Sequence, residues 1–319
     1  MQTRQVTVRP CPPHCRLEAL QQLAAAHESA RWQALAEAVD SQMAQPSPDW
    51  AGLFIAERVN EDEGDALCGA AWVQPLPGNM AQLWQPAGEG ESAQALLSAA
   101  RQWVTKHDVA LCHTVIVPEQ SARAALLVDA GMQRIAPLRY LAAPSHTRLP
   151  EPPATRITLT PWAMLTPEAQ HALMSAVQVD SLDCVALREA LGTEALIAGF
   201  YQQDMAAAAH WYVVHVTRPG QAPDTAGVLL LTPRPEADAW ELMLMALLPA
   251  WRCERLGEQL LNEAFHQAQA AGVERVLLSV DATNLPACRL YQRAGFICYH
   301  SEDVYAWLHD LSAWPQTVV

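Results

Sequence analysis

The sequence lacks the features that mark several large classes of protein. It contains no run of roughly eighteen apolar residues, the length that a helix needs to cross a bilayer, so no membrane-spanning segment is expected. Positive charge is scarce, because 20 Lys and Arg oppose 34 Asp and Glu for a formal net charge of −14. Without a basic patch to meet phosphates, no nucleic-acid partner is expected. Residues 1–6 lack the apolar segment of a secretory signal, which predicts a cytoplasmic protein with no membrane partner.

The cysteines do not form a metal-binding pattern. Cys11 and Cys15 resemble half of a zinc site, but no second pair of ligands follows at a suitable spacing. Several of the other cysteines lie in apolar runs, where free thiols are common core residues. We therefore expect reduced cysteines and no metal.

A Pro-rich stretch at residues 142–153 divides the chain, and the two parts on either side repeat each other. The strand pattern at Gly227 matches the one at Gly69 with an offset of 158. Ala294-Gly295-Phe296 matches Ala130-Gly131-Met132 with an offset of 164, as does a Leu-Leu pair at 260–261 with one at 96–97. Such repetition indicates one architecture used twice. The predicted organisation is a first domain at 1–143, a linker at 144–154 and a second domain at 155–319.

The most informative segment is residues 280–296, VDATNLPACRLYQRAGF. It follows an apolar, β-branched run at 273–280, which predicts a buried strand. Asn284 is placed as the N-cap of a helix over 286–294, with Pro286 in its first turn and Gly295 at its end. Tyr291 lies on this helix. An isolated Tyr in such a position is most often a core residue whose hydroxyl reaches solvent.

The spacing V-x3-N-x2-A-x2-LY-x3-GF in this segment resembles the acyl-CoA-dependent N-acetyltransferases of the GNAT superfamily. The resemblance implies an α/β (α+β) fold of two tandem GNAT-like domains, each a mixed, mostly antiparallel twisted sheet flanked by helices. The tandem arrangement is similar in layout to that of mycothiol synthases. No residue pattern in this sequence implies that it shares their substrate.

Hydrophobic periodicity predicts the elements of the second half. Strands are expected at 156–159, 211–216, 226–231, 240–247, 273–280, 296–299 and 304–308. Helices are expected at 167–177, 182–203, 256–271 and 286–294. The residues of the third helix that share one face are expected to pack on the sheet: Leu256, Leu260, Leu261, Ala264, Phe265 and Ala268.

An apolar strand at 240–247 leads through a short loop into the helix that starts near Leu256. The free N–H groups at such a helix start form an anion site. In the GNAT superfamily this loop reads Q/R-x-x-G-x-G/A and holds the CoA pyrophosphate, so the resemblance places the cofactor at residues 252–257: Arg252, Cys253, Glu254, Arg255, Leu256 and Gly257. The sequence departs from the pattern at Arg255 and Cys253, where Gly is usual. The alternative interpretation is a plain helix start with two solvated arginines.

The resemblance also implies the reaction. Acetyl-CoA would serve as co-substrate for direct acetyl transfer to a primary amine, with backbone groups at Met245, Ala246 and Leu247 holding the thioester arm. Asn284 would help to fix CoA, and Tyr291 would protonate the leaving thiolate as general acid.

The expected acceptor is a small molecule or a peptide amine. Glu241 is the candidate general base, with a solvated strand-end carboxylate as the alternative. Asp183, His210 and Glu194 are further candidates that no motif places.

The first half lacks the residues that carry this chemistry. Leu127 and Gln120 stand where Tyr291 and Asn284 have their counterparts, and the loop at 85–91 is acidic. We therefore expect one active site, in the second half of a monomer or homodimer. A CoA-binding pseudoenzyme or regulator, or an interaction module without cofactor, remains an alternative.

Overall fold

A computed structural model describes residues 6–58, 66–87, 90–150, 156–203 and 205–309. Parts of three predicted features lie outside these residues: positions 1–5 of the N-terminal segment, 88–89 of the acidic loop and 151–154 of the linker.

The first half of the chain forms strands and helices in the following order. They are β1 (Val6–Pro10), α1 (Arg16–Ala26), α2 (Trp32–Met43), β2 (Leu53–Arg58), β3 (Ala66–Leu76), β4 (Met80–Trp84), α3 (Glu91–Lys106), β5 (Leu111–Ile116), α4 (Ser121–Asp129) and β6 (Gln133–Pro144).

The second half repeats this order with one additional helix. Its elements are β7 (Arg156–Pro161), α5 (Pro167–Gln178), α6 (Val185–Ala190), α7 (Thr193–Gln203), β8 (Trp211–Thr217), β9 (Asp224–Arg234), β10 (Ala239–Leu247), α8 (Leu256–Ala270), β11 (Arg275–Asp281), α9 (Leu285–Arg293) and β12 (Ile297–Leu308).

Two predicted elements of the second half differ from the structure. The single helix expected at 182–203 is two helices, α6 and α7, because the chain is extended at Leu191 and Gly192 follows it. The two strands expected at 296–299 and 304–308 are one strand, β12. Its polar middle suggested a turn, but the carboxylate of Glu302 is buried there and accepts a 2.6 Å hydrogen bond from the Tyr140 hydroxyl.

The chain folds into two compact units. The first consists of Met1–Ile135 and Asp303–Val319, and the second of Ala136–Glu302. The predicted division at 144–154 differs from this one. The second unit takes the strand at 136–144 from before the Pro-rich stretch, and the first unit takes the end of the C-terminal strand.

The first unit contains a sheet in the order β1-β2-β3-β4-β5 and then residues 303–308 of β12. Only β4 and β5 are parallel; the other pairs are antiparallel. One core of this unit contains three buried indoles, Trp50, Trp72 and Trp84, which stack in sequence.

The second unit contains a sheet in the order β6-β11-β10-β9-β8-β7, in which β10 and β11 form the parallel pair. Helix α8 packs on one face through the predicted stripe, which is fully buried. Side chains of α5 and α7 pack on the other face. Each unit is therefore a mixed, mostly antiparallel sheet flanked by helices, and the predicted fold class is confirmed.

Both units contain the same helix ending at the predicted repeat. Gly295 has φ 75°, and the N–H groups of Gly295 and Phe296 donate to the carbonyls of Gln292 and Tyr291. In the first unit, Gly131 has φ 85°, and Gly131 and Met132 donate in the same way. This pair of hydrogen bonds is the Schellman motif, and glycine is favoured there because the backbone φ of that position is positive.

Candidate active site

The parallel strands β10 and β11 separate halfway along their length. Residues 239–242 pair with 275–278, and the pairing then stops. A β-bulge between Leu242 and Leu244 interrupts the register at this point and bends β10, while β11 stays paired with β6 as far as Asp281. The result is an open gap between residues 243–247 and 279–281, which we call the wedge.

The wedge exposes backbone groups of β10. Leu248 N–H donates to Ala226 on β9, so the alternating ladder turns the polar groups of Met245 and Leu247 the other way, into the wedge. The Ala246 carbonyl instead approaches Gly227, where a Cβ atom would lie 2.1 Å from its oxygen. Of the three residues predicted to hold the thioester arm, Met245 and Leu247 turn their backbone polar groups toward the wedge, whereas the Ala246 carbonyl faces β9.

The loop that follows β10 has a left-handed backbone at the two positions that depart from the family pattern. Cys253 has φ 65° and Arg255 has φ 59°. A conformation typical of glycine is therefore present although the glycines are not. No acceptor among the described residues takes up the backbone N–H groups of residues 253–257. Together with the start of α8, these groups form a concave set of donors suited to an anion.

The side chains of this loop are held by neighbouring groups. The Arg252 guanidinium donates to the carbonyls of Leu247 (3.0 Å), Asp180 (3.1 Å) and Val177 (3.0 Å). It thereby fastens the end of β10 to α5, and we assign it a positioning role. Glu254 pairs with Arg218 at 2.6 Å.

Two exposed arginines meet beside the start of α8. Arg255 and Arg293 both pair with the buried carboxylate of Glu258, at 2.8 and 3.2 Å. Leu256 is a core residue, and Gly257 allows α8 to approach Leu290 of α9, since a Cβ atom there would lie 3.0 Å from the leucine methyl group.

Tyr291 lies on α9 and is buried, with only 8% of its surface exposed. Its ring packs against Phe296 at 5.5 Å between centroids. Burial, assisted by the negative charge of Asp183, raises the pKa of the phenol well above its usual range. The phenol therefore stays protonated to a higher pH than an ordinary Tyr, as suits a proton donor.

Asn284 is the N-cap of α9, as predicted, and its Oδ1 accepts a 3.3 Å hydrogen bond from Ala287 N–H. Its amide faces Asp183, which precedes α6. The Asp183 carboxylate also faces the backbone N–H of Asp281 at the end of β11. Burial and the charge of Asp281 raise the pKa of Asp183, although both hydrogen-bond donors oppose that shift.

Asp183 is open to water on one side, although protein surrounds its carboxylate on most others. This combination is that of a group in the wall of a cleft. No sequence motif places the candidate base Asp183, but the fold brings it close to Tyr291 and Asn284.

The other sequence candidates for a base lie elsewhere on the second unit. Glu241 is on the paired part of β10, two residues before the bulge region begins, and forms a 2.7 Å ion pair with Arg234. His210 packs its ring against Trp240 at 4.5 Å. Glu194 lies in the first turn of α7.

This arrangement can be compared with known proteins. The sequence profile of the Acetyltransferase (GNAT) family matches residues 177–296, which include the wedge, the loop, Asn284 and Tyr291. The second half of the chain contains a GNAT domain.

Two mycothiol acetyltransferases are similar in sequence. The one from Corynebacterium glutamicum (strain R) is 35% identical over 65 residues, which are 20% of this chain and 22% of that protein, so the match spans about a fifth of that relative. The one from Thermobifida fusca (strain YX) is 25% identical over 303 residues, covering 80% of this chain and 83% of that protein.

A solved structure of a tandem GNAT protein from the clavulanic acid biosynthesis pathway is 17% identical, with a TM-score of 0.53. The alignment covers 97% of this chain and 100% of that one. The tandem GNAT fold is thereby confirmed. Among the described residues, no helix is long and apolar enough to cross a membrane, and no cluster of three metal-ligating side chains occurs.

The first unit has the GNAT fold but fills the place of the wedge. Its parallel pair, β4 and β5, ends at Gln82 and His113. Beyond that point the buried Gln85 side chain donates to Thr114 Oγ1 at 2.7 Å and to the Val115 carbonyl at 3.1 Å. A side-chain amide thus occupies the gap that is open in the second unit.

The first unit also lacks the matching functional groups. Gln120 precedes α4 as Asn284 precedes α9, but its side chain makes no cap and donates to Glu28. Leu127, which holds the position of Tyr291, is fully buried in the core. These residues support the prediction of a single active site.

Proposed function

We propose that this protein is an acetyl-CoA-dependent N-acetyltransferase that acts on a primary amine of a small molecule or peptide. The observation that carries the proposal is the wedge, where β10 is unpaired with β11 beside the buried, protonated Tyr291 and turns the backbone of Met245 and the Leu247 N–H toward the gap. The Leu247 carbonyl accepts from Arg252. The names of the mycothiol acetyltransferase relatives favour a small-molecule amine acceptor.

The chain offers a surface for each part of the co-substrate. The free N–H groups of residues 253–257 suit the pyrophosphate, and Arg255 and Arg293 add positive charge nearby. The backbone of Met245 and Leu247 suits the extended arm that carries the thioester. Oriented N–H groups of this kind stabilise a developing oxyanion by about 3 kcal/mol where one has been removed in other enzymes.

The reaction forms one bond and breaks one. The amine nitrogen attacks the thioester carbonyl carbon, the carbon–sulfur bond breaks, and Tyr291 supplies the proton that the departing thiolate takes up. The amine in turn loses a proton to a base. Glu241, which the family resemblance implies as base, remains a prediction, and its ion pair with Arg234 would have to open or act through water.

Substitution of Tyr291 by Phe tests the acid role. We expect turnover, followed as release of free thiol, to fall about 100-fold or more, because the variant lacks the hydroxyl that protonates the departing thiolate. Acetyl-CoA affinity, measured by calorimetry, should change little, since the ring remains. Tyr305→Phe in the first unit is the matched control. Equal turnover of Tyr291→Phe and the native protein at all pH values would refute the acid role.

A CoA-binding regulator without turnover is the second candidate, because Cys253 and Arg255 replace the glycines of the family pattern. Calorimetry and thermal denaturation distinguish the two. Ligand at 100 times its dissociation constant should stabilise the protein by about 2.7 kcal/mol. Such stabilisation without thiol release across a panel of amines would favour the regulator, and no stabilisation would exclude both.

We also propose a cytoplasmic location, which suits eight cysteines that are all free thiols in the structure. Whether the protein is a monomer or a homodimer stays a prediction.

A further inference from the structure

A cavity of about 190 Å³ lies beside the wedge in the second unit. Its walls come from α5, α6, α7 and the bulged part of β10. Most of the lining is apolar: Leu187, Leu191, Leu196, Phe200, Met243 and Leu244. The cavity is smaller than the ~300–1,000 Å³ that is usual for drug-sized ligands, so it suits a short apolar group.

Asp183 is the carboxylate of this cavity and connects it to the wedge. On its other side the carboxylate faces Asn284, the Asp281 N–H and Tyr291. The guanidinium in the lining, Arg188, is bonded to the Ser181 carbonyl. A cationic ligand that entered the cavity would therefore meet one open carboxylate next to the proton donor of the reaction.

We propose that this cavity is the acceptor site and that Asp183 is a catalytic residue, which binds the nitrogen of a primary amine carried on an apolar chain and receives its proton. This inference rests on the function proposed above and replaces Glu241 as the base. The apolar walls would hold the chain, and the carboxylate would place the nitrogen at the wedge. Ser175, Gln178 and Thr193 also line the cavity, but its surface is mainly apolar, which favours an alkyl chain over a polyhydroxylated one.

The protons balance through two neighbouring groups. The bound ammonium first loses one proton through Asp183 to solvent, and the neutral amine then attacks. As the nitrogen–carbon bond forms and the carbon–sulfur bond breaks, the second amine proton passes to Asp183 and the Tyr291 proton passes to sulfur. Asp183 is then neutral and Tyr291 is a phenolate. Transfer of one proton from Asp183 to Tyr291, directly or through water, restores both groups. The net result is amide and thiol.

The pH dependence of this step follows from the groups that face Asp183. They come from its own segment, from β11 and from α9: Cys184, Arg188, Asp281, Asn284, Cys288 and Tyr291. Because burial and Asp281 raise the pKa of Asp183, the ionised base is lost at a higher pH than for an ordinary Asp. The inference predicts an acid limb in kcat/KM that depends on this residue.

The test uses the full-length protein with acetyl-CoA and three amines: butylamine, hexylamine and glucosamine. We expect the alkylamines to be acetylated in preference to glucosamine, with an acid limb in kcat/KM. Asp183→Asn should lower kcat/KM about 100-fold or more and remove that limb, while acetyl-CoA affinity stays within about threefold. Asp183→Glu should restore part of the activity and the limb. Glu189→Gln, at an exposed carboxylate on α6, the helix that follows Asp183, is the matched control.

A second variant tests the cavity without touching the carboxylate. Leu187→Trp should fill the space and raise KM for hexylamine about tenfold, with little effect on acetyl-CoA affinity. The inference is overturned if glucosamine is the better acceptor, or if Glu241→Gln and not Asp183→Asn removes the acid limb. Absence of turnover with all three amines by the native protein would overturn the proposed function as well.

Discussion

At the scale of single residues, Asp183 has an environment that costs stability. An ionised carboxylate that protein partly surrounds, placed near Asp281, is less favourable in the folded than in the unfolded chain, which is why its pKa is raised. Active sites commonly retain such groups because the chemistry needs them, so substitution often stabilises the protein while it removes activity.

We therefore expect Asp183→Asn to raise the melting temperature at pH 7. The ionised carboxylate carries the desolvation penalty, whereas Asn does not. Because the folded pKa lies above the unfolded one, the penalty disappears as pH falls, and the gain should vanish below about pH 4. Thermal denaturation between pH 3.5 and 8 measures this.

For a control carboxylate, we expect the substitution to change the melting temperature in the opposite direction. Backbone and Thr166 hydrogen bonds lower the pKa of Glu168 at the start of α5. Glu168→Gln should therefore destabilise the protein at pH 7, and the difference should shrink in acid. If Asp183→Asn lowered the melting temperature at pH 7, the carboxylate would be a structural acceptor and its raised pKa would have another origin.

At the scale of elements, the loop between β10 and α8 holds two non-glycine residues in left-handed conformations. The left-handed conformation of a non-glycine residue destabilises the folded state by roughly 1–2 kcal/mol, so contacts with the surrounding structure must hold it in place. The Arg252 bonds to three carbonyls and the burial of Leu256 supply that support. The donor-lined concavity therefore persists without the glycines that usually form it.

Cys253→Gly should stabilise the protein by about 0.5–1 kcal/mol. The free energy of unfolding rises because glycine adopts the left-handed backbone of residue 253 without steric strain. The larger conformational entropy of glycine in the unfolded chain reduces this gain. Acetyl-CoA affinity should be retained, because the backbone donors stay in place. Denaturant titration gives the free energy of unfolding. Cys298→Gly, an exposed cysteine on β12 without positive φ, should destabilise instead, and equal effects of the two would contradict the strain argument.

Sequence patterns predicted these elements well where the signal was local. The Asn284 cap, the Gly295 ending and the apolar stripe of α8 each depend on residues a few positions apart, and the structure has all three. Asp183 lies in a segment without periodicity, about a hundred residues before Tyr291, and only the tertiary fold brings the two together. No local sequence pattern predicts that Asp183 and Tyr291 lie close together.

At the scale of the whole molecule, pairing between distant strands was the part that the sequence did not predict. The alternation of β6 and β12 specifies that a strand forms, but not which strand it joins. The second unit therefore contains residues 138–144, paired with β11, and the first unit contains residues 303–308, paired with β5. The Pro-rich stretch marks where the repeat begins again and does not separate the two units.

The stability of the two units should also depend differently on pH in the acid range. Burial lowers the pKa of His27 and of His113, both in the first unit, to about 4 from an ordinary value of 6.5. Between these values the unfolded chain binds protons that the folded unit excludes, so the stability of the first unit should fall as pH drops from 6.5 to 4.

The loss would be up to ~3 kcal/mol per pH unit if both histidines contribute fully. Scanning calorimetry at pH 7.5 and pH 5 should show a lower first transition at pH 5. The double variant His27→Asn and His113→Gln should reduce this shift, because its side chains stay neutral in both states. His14→Gln, at an exposed position, should leave the shift unchanged. A first transition that did not move between the two pH values, in a protein that still folds, would show that neither imidazole is excluded from protons in the native state.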